Sequence, residues 1–280
     1  MNWKTWLIAA AIPVLVGCLL LAVVMSGIKW NFTKLATTQY ETNRYEFSEA
    51  WEDLSIYTKT ADVVLQPAAD GKTTVVCCEQ ENAKHAVTVK DGTLEIRLVD
   101  ERKWYEHIGI NFQSPSITLY IPQSKCGDLT VESSTGDVEI AEGFQFDRVD
   151  LALTTGDIRL RQLTAEALEL ELTTGDVQLT DIHCKTLDAE GTTGKMALKN
   201  VIASETLTLE LSTGSIRFDG CDAGEIKAET STGSITGSLL TPKIFYAESN
   251  TGKVTVPRTT TGGICQLTTN TGSIKITLTE

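Results

Sequence analysis

The sequence predicts an all-β protein: a parallel β-solenoid of about eight coils of 19–20 residues, preceded by a short β region and one N-terminal transmembrane helix. Three observations predict it. Thr-Gly pairs recur at Thr135-Gly136, Thr155-Gly156, Thr174-Gly175, Thr193-Gly194, Thr213-Gly214, Thr232-Gly233, Thr251-Gly252 and Thr271-Gly272, which sets their glycines 20, 19, 19, 20, 19, 19 and 20 residues apart. Apolar and polar residues alternate on both sides of these pairs. Ahead of the array, the stretch from Trp6 to Ile28 carries no charge and is almost wholly apolar.

Residues 1–28 read as a membrane anchor. At about 1.5 Å per helical residue the apolar run spans roughly 34 Å, enough for a bilayer core. Trp3, Trp6 and Trp30 stand at its ends, where indole rings prefer the interface, and Pro13 is tolerable inside a membrane helix. Leu15-Val16-Gly17-Cys18 also resembles a bacterial lipobox, which keeps a lipoprotein modified at Cys18 open as an alternative. Against it, the chain stays apolar from Leu19 to Met25, where a lipoprotein turns polar. Lys4 before the run and Lys29 and Lys34 after it nearly cancel the positive-inside bias. A short tail before a large C-terminal domain favours a cytoplasmic N-terminus and an extracytoplasmic domain. Residues 29–50 are polar and mixed and read as a tether, which includes the glycosylation sequon Asn31-Phe32-Thr33.

Residues 51–125 read as a β region that covers the start of the solenoid. Strand-like runs fall at Ile56 to Tyr57, Ala61 to Leu65, Thr73 to Cys78, Ala86 to Val89, Thr93 to Leu98 and Ser116 to Ile121. Asp91-Gly92 between two of them predicts a type I′ hairpin, whose two central residues both need positive φ. The aromatics Trp51, Tyr57, Trp104, Tyr105, Phe112 and Tyr120 read as core and edge cover.

In the array, residues 126–280, apolar positions lie five and three before the glycine (Leu151 and Leu153, Leu170 and Leu172, Leu209 and Leu211) and two and four after it (Ile158 and Leu160, Val177 and Leu179, Ile216 and Phe218, Val254 and Val256). Alternation of period two buries one face of a strand. Further apolar pairs close the circuit to the next coil: Leu163 and Leu168, Ile182 and Leu187, Cys221 and Ile226, Leu240 and Phe245. Such a period is too short for a helical solenoid and fits one coil of a β-solenoid. The glycines supply positive φ at the turn, and the hydroxyls and amides before them can bond from coil to coil. Because the chain ends shortly after Gly272, an uncapped last coil and a homodimer through it are also expected.

A net charge of −13 and the lack of clustered Lys and Arg exclude a nucleic-acid role. Two outward columns concentrate the acid. Asp137, Asp157 and Asp176 follow the glycine in three successive copies, and Glu132, Glu171, Glu190, Glu210, Glu229 and Glu248 stand four before it in six of the eight. Like charges about 4.8 Å apart repel by about 0.9 kcal/mol even in water. These columns are therefore the candidate cation-binding face, with calcium as the ion to test; otherwise no cofactor is expected. The seven cysteines form no C-x-x-C pair and read as small buried hydrophobes. His85, His107 and His183 are scattered and lack evident partners, and no nucleophile elbow, zincin or P-loop motif is present. An enzyme is not expected. The weaker alternative is a polysaccharide-degrading β-helix that uses paired carboxylates.

Ala61-Asp62-Val63-Val64, Asp91-Gly92-Thr93-Leu94-Glu95-Ile96, Ile117-Thr118-Leu119-Tyr120-Ile121-Pro122 and the Thr-Gly-Asp copies from Thr135 onward, taken in that order, resemble the LiaG-like putative adhesin family of bacterial envelope proteins. The resemblance covers most of residues 51–280 and supplies no catalytic residues. It implies a single-pass protein of the bacterial cell membrane, either an adhesin or an accessory or sensory protein of an envelope-stress system. Partners expected on this reading are the membrane, a cell-wall glycan, a cationic peptide or another envelope protein.

Overall fold

The computed structural model describes residues 3–27, 29–30, 39–102, 113–123 and 125–279. The sequon, His107 and the aromatics Trp104, Tyr105 and Phe112 lie outside the described residues. Two compact units result, Met1–Tyr40 with Arg102–Gln113, and Glu41–Glu101 with Ser114–Glu280. The first holds helix α1 (Trp3–Gly27), with Pro13 inside it. Within α1, Ala10–Gly27 has a mean hydropathy of 2.4 and is long and apolar enough to cross a membrane.

The second unit is all β. It opens with β1 (Tyr40–Phe47), β2 (Asp53–Thr58), β3 (Asp62–Pro67), β4 (Thr73–Gln80), β5 (Ala83–Lys90), β6 (Thr93–Asp100) and β7 (Ser116–Ile121). Strand β1 corrects the reading of residues 29–50 as a tether throughout: Tyr45 and Phe47 on it pack against the core. β5 and β6 form the expected hairpin, with Asp91 at φ 51° and Gly92 at φ 84° between the paired Lys90 and Thr93.

The array follows as β8 (Lys125–Thr135), β9 (Val138–Ile140), β10 (Phe144–Thr155), β11 (Ile158–Thr174), β12 (Val177–Thr193), β13 (Met196–Thr213), β14 (Ile216–Thr232), β15 (Ile235–Leu239), β16 (Ile244–Thr251), β17 (Val254–Thr255), β18 (Ile264–Thr271) and β19 (Ile274–Leu278). Every Thr-Gly pair sits at the end of one strand and the start of a turn. Successive coils pair in parallel and in register, so that Leu151 faces Leu170, Leu170 faces Ala189 and Ala189 faces Leu209. After Gly156 the apolar residues Ile158, Leu160, Leu163, Ala165, Leu168, Leu170 and Leu172 are all buried, so one coil lines the core along its whole circuit. Each fully buried Leu or Ile contributes about 1.5–3 kcal/mol.

A second corner, unforeseen in the sequence, lies six residues after the turn glycine. Gln162, Asp181, Asn200 and Gly220 stack there with φ of 45°, 57°, 52° and 64°. Asn and Asp tolerate the left-handed region better than most residues, and Asn200 Nδ2 donates to Asp181 Oδ1 at 2.8 Å.

Chain order and stack order diverge at both ends. β2 and β3 pair in parallel with β8 and β9 on one side and with β6 and β7 on the other. β4 and β5 then close that end by antiparallel pairing with β7 and β6. Residues 51–125 thus extend the same core rather than covering it from outside, and β8 already begins at Lys125, which leaves no break at 125/126. At the other end β18 inserts between β14 and β16, and β19 between β15 and β17. The expectation of an open last coil is corrected accordingly: β18 and β19 are an inner layer, while β16 and β17 are the outer one. Outer placement explains why Val254 is exposed and why Phe245 and Val256 are only partly buried. Leu240 is exposed as well. A register shift after Phe218 sets Cys221 opposite Leu239, which takes the core place expected for Leu240.

Candidate functional site

At the turns, seven of the eight glycine N–H groups donate to the threonine carbonyl of the adjacent coil, as from Gly136 to Thr155, Gly156 to Thr174 and Gly175 to Thr193, all at 3.0 Å. The coil-to-coil link therefore runs through the threonine backbone, and also through the expected amides where Asn250 Nδ2 donates to Asn270 Oδ1 at 3.0 Å. Side-chain hydroxyls join three residues before the glycine, where Thr230 and Thr269 donate to the carbonyls of Gly214 and Gly233.

The aspartate column is built into this scaffold. Asp137 Oδ1 accepts the backbone N–H of Asp157 at 2.9 Å, Asp157 Oδ1 that of Asp176 at 2.8 Å, and Asp176 Oδ1 that of Lys195 at 2.8 Å. Asp62 extends the column by accepting the N–H of Asp137 at 2.9 Å. It escaped sequence reasoning because it lies 75 residues from its neighbour, off the repeat period. Arg159 reaches Asp137 Oδ2 at 2.8 Å and Asp157 Oδ2 at 2.5 Å. Partial burial pushes the Asp137 carboxyl upward, but the Arg159 guanidinium and the Asp157 N–H outweigh it and hold it below the usual range. Asp137 and Asp157 thus have both oxygens engaged by the protein, and Asp176 has one.

The glutamate column is different. Glu171, Glu190, Glu210 and Glu229 are cross-strand neighbours in four consecutive coils. Thr268 separates Glu229 from Glu248, and Ala152 separates Glu132 from Glu171. The four glutamates line an open groove of about 430 Å³ together with Gly191, Leu172 and Leu211. Gly191 stands between Leu172 and Leu211 in the register, and the Leu211 and Met196 side chains fill the space that a side chain would take there. Lys227 Nζ lies 2.5 Å from Glu210 Oε1. Beside the groove, partial burial raises the Asp188 carboxyl, and Glu190, Glu210 and Glu169 raise it further.

This crowding has a measurable consequence. A raised folded-state value means the charged form of Asp188 costs stability above the carboxylate range, whereas below about pH 3 both states are protonated and the cost vanishes. Asp188→Asn should therefore stabilise the protein by about 0.5 kcal/mol at pH 7 and by nothing near pH 3, the side chain being exposed and screened. Thermal melts at the two pH values check it.

A buried polar cluster lies at the β4–β5 end. Glu79 is fully buried; its Oε2 accepts from the His85 backbone N–H at 2.6 Å and faces His85 Nδ1 at 2.8 Å, and its Oε1 accepts from Asn43 Nδ2 at 2.8 Å. His85 Nε2 lies 3.0 Å from Thr58 Oγ1. Burial raises the Glu79 carboxyl, yet the bonds from the His85 ring, Asn43 and the His85 N–H bring it below the usual range. Cys77, two residues away on the same strand face, is pushed up to about 12 by burial and by Glu79. His85 thus has the partners that sequence reasoning did not find, while His183 is exposed on β12. Cys77, Cys126, Cys184, Cys221 and Cys265 are buried.

The family model Toastrack DUF4097 matches residues 51–280. The chain belongs to the Toastrack DUF4097 family. Among solved structures this Toastrack chain is similar to a putative lipid binding protein from Parabacteroides distasonis, with 16% identity over 86% of this chain and 98% of that chain and a TM-score of 0.51. It is also similar to a putative adhesin from Bacteroides fragilis (17% identity, 85% and 97% covered, TM-score 0.42) and to one from P. distasonis (11%, 86% and 98%, 0.47). At such identities the likeness extends to the Toastrack fold alone. No curated protein matches the chain.

Proposed function

We propose that this protein is a non-catalytic, membrane-anchored module of the bacterial cell envelope that presents the glutamate face of its solenoid to a cationic ligand. The observation that carries the reading is the unbroken, in-register run Glu171, Glu190, Glu210 and Glu229 over the Gly191 groove. Four carboxylates at strand spacing repel one another, and a cation laid along them relieves that repulsion. Calcium, a cationic peptide or an amine-bearing cell-wall glycan supplies such charge. The engaged oxygens of Asp137 and Asp157 make that column a weaker candidate, and Glu248 lies apart. Helix α1 supports an anchor with the solenoid outside the cell, and the resemblance to LiaG-like adhesins agrees with that placement. A homodimer in this reading meets through β16 and β17 at the outer edge.

Isothermal titration of the full-length chain with calcium and with an oligolysine peptide tests the reading. Binding of at least one of them should weaken about tenfold or more in the variant with Glu171, Glu190, Glu210 and Glu229 all changed to Gln, a loss of about 1.4 kcal/mol. The variant should fold at least as stably, because like charges are removed. Equal binding in the two proteins, or none in either, overturns the proposal.

A further inference from the structure

We propose that Cys77, Glu79 and His85 form a buried zinc site at the β4–β5 end of the solenoid, independent of the acidic groove. Cys77 and Glu79 lie two apart and face inward from β4, and the antiparallel pairing of Gln80 with Ala83 brings His85 of β5 against them. Their ligand atoms all lie within 4.8 Å of one another, and all three residues are buried. One ion can reach all three with small side-chain shifts, since zinc bonds run about 2.0–2.3 Å to nitrogen, oxygen and sulfur. Thiolate, imidazole and carboxylate are the donors zinc accepts.

Two further features fit a metal better than a bare hydrogen-bond network. The first is charge: a divalent ion with one thiolate, one carboxylate and one neutral imidazole sums to zero, which suits a buried site, and a water entering with the ion would complete its four positions. The second is support around the ligands. With Nδ1 on the metal, Nε2–H points to Thr58 Oγ1 at 3.0 Å, and the outer Glu79 oxygen is held by Asn43 at 2.8 Å. Metal-bound histidines and carboxylates characteristically carry such outer partners. Loading releases the Cys77 thiol proton to solvent, moves the ring proton from Nδ1 to Nε2, where Thr58 Oγ1 accepts it, and replaces the Nδ1 to Oε2 contact, now 2.8 Å, with two metal bonds. Strand β1 pairs with β4 and supplies Asn43 to this shell.

The test uses the full-length chain in detergent, stripped with a chelator and offered zinc alone. One zinc per chain should survive gel filtration, and cobalt in its place should show a thiolate-to-metal charge-transfer band. Cys77→Ser should abolish that band and weaken zinc binding at least 100-fold, Asn43→Ala should weaken it about 10- to 100-fold, and Cys126→Ser should change neither. Circular dichroism reports whether each variant is folded. Should Cys77→Ser not fold, the wild-type cobalt spectrum and the Asn43→Ala affinity decide. No retained zinc in the wild type, no charge-transfer band, or zinc retained equally by folded Cys77→Ser overturns the site.

Discussion

Glu79→Ala is expected to lower the unfolding free energy by about 3–5 kcal/mol, the range found when one partner of a buried ionic network is removed. Alanine leaves the His85 ring and the His85 backbone N–H without their buried acceptor, and leaves the Asn43 amide only its bond to Glu41 Oε1 at 2.9 Å. Each orphaned donor carries its own desolvation cost. The pH dependence gives the sign. Because the folded-state value of Glu79 lies below its ordinary one, its stabilisation is present above the carboxylate range and is lost as pH falls through the folded value. The gap between wild type and Glu79→Ala should therefore be widest near pH 7 and narrow in acid. Urea titrations of chelator-treated protein at both pH values measure it, and chelation keeps the result separate from metal binding. A uniform gap across pH would assign the loss to packing rather than to charge.

The solenoid was legible because each coil solves the same steric problem with the same residues. A threonine and a glycine recur at every primary corner, and Leu151, Leu170 and Leu209 recur on the core-facing strand. The second corner was not legible because Gln162, Asp181, Asn200 and Gly220 meet the same left-handed requirement with four residue types. Stack order was hidden for a different reason. The coils ending at Gly252 and Gly272 carry equivalent patterns, and nothing local tells Ile226 to face Cys265 on β18 instead of the β16 residue that comes next in the chain. Parallel pairing is a long-range choice that periodicity does not encode.

The candidate sites divide along the same line. The glutamate column was readable from spacing, and the register places four of its members side by side. The aspartate column was readable as a column but not as a hydrogen-bonded ladder, since backbone donors leave no mark in the side-chain pattern. The Glu79 cluster lies outside the repeat, and only one signal pointed to it. Val75, Cys77 and Glu79 share one phase of β4, and Ala83 and His85 share one phase of β5, so a carboxylate and an imidazole occupy core-facing places.

Gly175→Ala should be about as damaging as the loss of Glu79, at about 3 kcal/mol, through backbone geometry alone. Gly175 has φ +143°, and a Cβ there would lie 1.8 Å from the Gly156 carbonyl oxygen. That carbonyl belongs to the adjacent turn, so relief requires the two coils to separate at the corner. Separation in turn breaks the Gly156 N–H bond to the Thr174 carbonyl and the Asp176 N–H bond to Asp157 Oδ1. A control distinguishes this from ordinary glycine entropy: at Gly71, with φ +69° and nothing within 4 Å of an added methyl, alanine meets conformational strain without a clash and should cost about 1 kcal/mol. Denaturation midpoints of the two variants should therefore differ clearly. Equal losses would show that the turn column yields without disturbing its neighbours, and that close backbone approach is not what reserves the position for glycine.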